Sequence, residues 1–130
     1  MKLLTKELRA ALPALRSQDG KNEAAIVHAH YFSILSGWDW WVLEGEPDVD
    51  ESGAEVDFRF FGFVAGWEGE YGYFSLNELD SAKRGGLMPL VERDLHWTPK
   101  PIGEVLPPGN PRRPSWWAED EPATAAGGAA

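Results

Sequence analysis

The run Val56-Asp57-Phe58-Arg59-Phe60-Phe61-Gly62-Phe63-Val64-Ala65 leaves this chain few folds to choose from. Side chains alternate along an extended strand, so Val56, Phe58 and Phe60 take one face while Phe61, Phe63 and Ala65 take the other. A segment that is apolar on both faces has to be covered twice. It predicts an interior strand of a sheet over 57–65, with packing layers above and below. Gly62 and Gly66 weaken such a strand and predict bulges or the close approach of a neighbouring ring.

The elements around it follow from local signals. Glu68-Gly69-Glu70 is short and turn-forming and leads into Tyr71-Gly72-Tyr73-Phe74, which predicts a hairpin. Ser75-Leu76-Asn77-Glu78 matches a capping box, so a helix is expected from about Leu76 to about Lys83, ended by Gly85-Gly86. Near the N-terminus, Thr5 can cap a short helix with Leu8 and Leu12 on one face, and Pro13 stops it. Ala24–Phe32 and Trp38–Glu44 read as strands, Glu46–Gly53 as a mobile acidic connection, and Val91–Trp97 as an outer strand with one solvated face. Ile102–Leu106 adds a last turn against the sheet.

From Pro107 the composition turns to proline, alanine and glycine, and residues 107–130 are expected to form a disordered tail. Trp116-Trp117 is out of character there, because two indoles are costly to leave in water. Either the pair docks back on the domain, the simpler reading, or it is a peptide motif for another protein. The expectation is an α+β domain over 1–106: an antiparallel sheet of about four to five strands, an N-terminal helix and a helix after the central hairpin. A chain of 130 residues has room for one core of this kind.

Composition narrows the function classes. There is no cysteine, which removes disulfides, thiolate metal sites and a cysteine nucleophile. The formal net charge of −9 sets the overall field against phosphate backbones, so direct nucleic-acid binding is not expected. No apolar run approaches the ~18 residues of a membrane span, and Lys2 and Lys6 interrupt any signal-peptide core, so a cytoplasmic setting without membrane contact is the expectation.

Glu68, Glu70, Glu92 and Asp94 form the sharpest chemical candidate. If the hairpin turn and the outer strand were neighbours, three of these acids could surround Mg²⁺ or Mn²⁺, which favour oxygen ligands, and activate a water. The plainer reading is a solvated acidic face with Arg93 paired to one of them. His28 and His30 could offer two imidazoles to a metal, but nothing brings His96 near them, and hydrogen-bonded partners of aromatic rings is the simpler role. Ser75 is accounted for by capping, and the glycines lack the spacing and lysine of a phosphate loop. No cofactor is called for.

Taken together, Leu3–Leu15 (LLTKELRAALPAL), Trp38-Asp39-Trp40-Trp41-Val42, Phe60–Val64, Glu70–Leu79 (EYGYFSLNEL) and Leu90–Asp94 resemble a family of small bacterial proteins, the domain-of-unknown-function family number 2958. The resemblance covers about Met1 to Val105. It implies a setting on plasmids and other mobile elements, where conjugation, maintenance and evasion of host defence can each be served without catalysis. The expected function is a non-catalytic accessory protein that binds another protein through an acidic, aromatic-bearing surface centred on Glu68, Glu70, Glu92, Asp94 and Trp67. Imitation of DNA charge toward a defence enzyme is one form of it. The alternative is a metal-dependent hydrolase of nucleotides or nucleic acid built on the same four acids.

Overall fold

The structure, a computed structural model, describes residues 2–81, 83–84 and 88–119. In chain order they form α1 (Lys6–Ala11), a 3₁₀ turn (Asn22–Ala24), β1 (Ile26–Val27), β2 (Ala29–Ser33), β3 (Asp39–Val49), β4 (Glu55–Ala65), β5 (Gly69–Ser75), α2 (Leu76–Ser81), β6 (Lys83–Arg84), β7 (Met88–Pro89), β8 (Val91–Arg93), β9 (Lys100–Pro101), α3 (Ile102–Val105) and α4 (Trp116–Glu119). The fold is α+β. Five antiparallel strands make the main sheet in the order β5-β4-β3-β2-β8, while β1 pairs with β9 and β6 with β7 in two small ladders.

The Phe-rich run is the second strand of the main sheet, hydrogen-bonded on both sides. Its alternation sorts two cores. Phe58 and Phe60 join Tyr31, Val42, Phe74 and Val91 under a cover made by Leu3, Leu4 and Leu12 from the N-terminal segment and Leu79 from α2. Phe63 and Ala65 join Val27, Trp41 and Leu43 on the other face, covered by Ile102, Leu106 and Trp117. Each fully buried Phe is worth about 1.5–3 kcal/mol of transfer free energy, so both layers are needed to hold this strand.

Both strand glycines mark close approaches. A Cβ on Gly62 would lie 2.0 Å from the Trp41 carbonyl oxygen, next to the point where the β3–β4 register slips between Val42 and Glu44. A Cβ on Gly66 would meet the Trp38 indole at 2.9 Å. Thr5 caps its helix as expected, its Oγ1 accepting from the Leu8 N–H at 3.1 Å, and the serine half of the expected capping box forms, with Ser75 Oγ accepting from the Glu78 N–H at 3.2 Å.

Five expectations are corrected. Glu46–Gly53 is not a mobile connection, because β3 continues to Val49 and the chain reverses over Asp50–Ala54. The Asp50 carboxylate accepts from the Ser52 and Ala54 N–H groups and stiffens that turn. Pro47 is tolerated inside β3 since β2 pairs only with its first residues, leaving the proline nitrogen on an open edge. The first strand is split: His28 interrupts it, with β1 leaving to pair with β9.

The outer strand shrinks to Val91–Arg93, because the chain turns at Asp94, whose Oδ1 accepts from the His96 N–H. Finally, residues 107–119 do not trail away as tail. They cross the second face and end with Trp117, 1% exposed, inside its core, so the docked alternative for the Trp pair is the one found. Arg113 fastens this segment with hydrogen bonds to the Leu106 carbonyl (2.9 Å) and Glu23 (2.5 Å) and a guanidinium 5.0 Å from the Trp117 ring centre. Helix α2 ends at Ser81, short of Lys83, and the Gly85-Gly86 stop lies outside the described residues.

Candidate functional site

The four predicted acids do not converge. Glu68 and Glu70 sit at the β4–β5 turn and on β5, at one edge of the sheet, while Glu92 and Asp94 sit on and just after β8, the other edge. Four strand spacings separate those edges, roughly 19 Å at about 4.8 Å each. The expectation of a shared carboxylate site assumed that hairpin and outer strand were neighbours, and β2 and β3 lie between. Among the described residues no group of three or more His, Asp or Glu side chains is placed to hold a metal ion.

What the hairpin turn does display is aromatic. The β2–β3 and β4–β5 turns leave the sheet at the same end, since Asp39 pairs with Ala65. Trp67 on the second turn is 82% exposed, and Ile34 and Leu35 on the first are 63% and 57% exposed. Trp38 stands edge-to-face with Trp67 at 6.5 Å between ring centres and tilts against Trp40 at 6.0 Å. Glu68, Glu70, Trp38 and Trp67 line a shallow hollow of about 300 Å³ there. Gly66 explains the geometry, as any side chain at that position would displace the Trp38 ring.

At the other edge Asp94 has a defined partner. His30 on β2 places Nδ1 3.0 Å from Asp94 Oδ2 and Nε2 2.7 Å from Asp39 Oδ1. The imidazole also lies against Trp41, nearly parallel at 5.6 Å, and near Trp97 at 5.4 Å. Arg112 reaches Asp39 at 3.5 Å from the C-terminal segment. Burial alone would lower the His30 pKa, but hydrogen bonds and charge from Asp39 and Asp94 outweigh it and the net direction is up. The same hydrogen bond from His30 holds the Asp94 carboxyl below its usual range.

Neutral imidazole carries one N–H, and ionised carboxylates only accept, so both contacts are satisfied together only by the imidazolium. With both nitrogens engaged, His30 has none left for a substrate proton. The arrangement is a charged staple joining β2, β3 and the β8 exit.

A second buried polar group was also missed in the sequence. Glu44, 2% exposed, lies just past the β3 register slip. Its Oε1 accepts from the Arg16 N–H and its Oε2 from the Gln18 N–H, each at 2.7 Å. Gln18 in turn donates to the Ile26 and Leu43 carbonyls and accepts from the Ile26 N–H, which pins the 14–20 loop beside the sheet. Asp39 could have been found, because alternation puts it on the Trp41 face beside the His30 strand. Glu44 could not, since the bulge that turns it inward leaves no mark in the pattern.

In comparisons with known proteins, no family model, no curated protein and no solved structure matches this chain. No described helix is long and apolar enough to cross a membrane.

Proposed function

We propose that this chain is a non-catalytic protein-binding module whose contact surface is the turn end of the sheet, with Trp67 as its anchor and Glu68 and Glu70 as its charged rim. The observation that carries the reading is an 82% exposed Trp beside further exposed apolar residues on the neighbouring turn. Exposed indoles are among the residues that dominate protein interfaces once they are covered. The rim acids and the −9 overall charge favour a partner surface carrying Lys or Arg, whose cations also suit Trp faces.

Glu92 and Asp94, expected at the centre of this surface, drop out of it: they stand at the far edge and Asp94 serves the His30 staple. The hydrolase alternative loses its support with the same separation. The resemblance to the domain-of-unknown-function family number 2958 keeps its place here as part of the proposal, and with it a role as an accessory protein of a mobile element acting on a host component.

The test is a comparative capture from bacterial lysate at low salt, using the wild-type chain, the Trp67→Ala variant and the Glu68→Lys/Glu70→Lys variant, with Glu51→Lys as a remote control. A partner retained by wild type and by the control but released by both tip variants, and then rebinding as a purified protein in calorimetry, supports the reading. Captured proteins that bind all four chains equally overturn it.

A further inference from the structure

Beside the buried Glu44 lies a cavity whose chemistry neither the fold nor the exposed tip uses. It is a hollow of about 140 Å³ that opens on one side to solvent, room enough for a guest of about benzene size. Its aromatic lining comes from three elements. Phe61 on β4 and Tyr71 on β5 are nearly parallel, 5.9 Å apart and 10° from coplanar orientation, and Trp116 of α4 lies 5.8 Å from Tyr71. Gln18, Asp19 and Glu44 supply the polar lining.

The electrostatics of that lining are one-sided. Glu44 is held by two backbone N–H groups, and among the described residues no Lys, Arg or His side chain pairs with it. Backbone dipoles offset part of the desolvation cost of a buried carboxylate but bring no opposite charge, so the lining as a whole favours a cation over an anion even where the hollow opens to water. Phe61 and Tyr71 are stacked on each other, which leaves the indole of Trp116, 40% exposed, as the ring with most surface to offer a cation.

We propose that this cavity binds a small organic cation carrying an alkylated ammonium group. A divalent metal would need six or so oxygen ligands, whereas the oxygens of Glu44 already accept from the backbone and much of the lining is ring carbon. A strongly hydrated primary ammonium gives up more water on entry than a lining that is largely ring carbon returns. A weakly hydrated, methylated head loses little water on entry, matches the cavity volume and gains both the carboxylate field and the ring faces. This site stands on the opposite face of β4 from Val64 and the Trp38 hollow, and does not depend on the protein-binding reading of the tip.

Titrating the full chain with choline and with tetramethylammonium, by calorimetry and by tryptophan fluorescence, tests it. The matched probe is the carbon isostere of choline, in which a quaternary carbon replaces nitrogen at nearly equal shape. Saturable binding of both cations is expected, with the isostere about tenfold or more weaker. Trp116→Leu, at a residue on the rim of the fold, should weaken choline by about tenfold while leaving the unfolding transition in place, and Glu44→Gln should erase the preference for the cation over its isostere. Absence of saturation into the tens of millimolar, equal binding of the isostere, or indifference to Trp116→Leu in a folded variant each overturns the proposal, whether or not Glu44→Gln folds.

Discussion

Raising the pH removes one proton from the His30 staple and should cost this fold a measurable part of its stability. His30 has a folded pKa raised above its ordinary 6.5, so its contribution is fully present below about that value and is lost as pH climbs through the folded pKa. Below the ordinary carboxylate range the staple weakens again, because Asp94, whose folded pKa is lowered, contributes stability that is lost as pH falls through it. On deprotonation one of the two contacts, at 2.7 and 3.0 Å, becomes a lone pair facing a carboxylate. A hydrogen bond to a charged group is worth about 1.5–3 kcal/mol, and a loss near 2 kcal/mol is expected between about pH 6 and about pH 9. With a urea slope of about 2 kcal/mol per molar, the midpoint should fall by about 1 M.

His28 works in the opposite direction, since burial lowers its pKa and its charging costs stability as pH falls through the ordinary range. The comparison must therefore be with His30→Gln, which keeps His28. Urea unfolding followed by tryptophan fluorescence should show wild type well above the variant at about pH 6 and the gap closing toward about pH 9. A gap that stays constant across that range, or an NMR titration placing the His30 midpoint below that of a free histidine, would refute the reasoning.

Other outcomes follow from geometry already described. Gly62→Ala forces a Cβ into the Trp41 carbonyl and should destabilise the domain by about 3 kcal/mol or prevent its accumulation, read as a lowered urea midpoint. Glu44→Leu strands the Arg16 and Gln18 N–H groups and should cost about 3 kcal/mol, with faster hydrogen exchange confined to residues 14–20. Trp117→Ala empties part of the second core and should cost about 3–5 kcal/mol, a loss that a disordered tail would not produce. Trp67→Ala touches no buried group and should leave the unfolding midpoint within about 0.5 kcal/mol of wild type.

The contrast between what the sequence disclosed and what it concealed lies in the range of the forces involved. Thr5, Ser75 and the doubly apolar β4 are legible because capping and strand alternation act over three or four neighbouring residues. The strand order is not local, and nothing in Glu92 or Asp94 reveals that β2 and β3 separate them from Glu68 and Glu70. That single piece of long-range information decides whether four acids make one site or two edges. Trp67 kept its place as a surface residue because a turn flanked by Gly66 and Gly69 has no layer above it. Pro107 onward misled for a compositional reason: a proline-rich stretch with few apolar residues reads as solvated, although two Trp and two Arg side chains seat it.

The position of Trp117 also has a consequence for how the molecule comes to exist. One side of the sheet can be sealed by chain made early and by α2, which follows directly from the central hairpin. The other side waits for an indole more than fifty residues downstream of Phe63, so a nascent chain halted after α3 would carry a finished front and an unsealed back. Biogenesis of this domain therefore has a built-in delay, during which Phe63 and Trp41 are open to whatever chaperone or misfolding route competes for them.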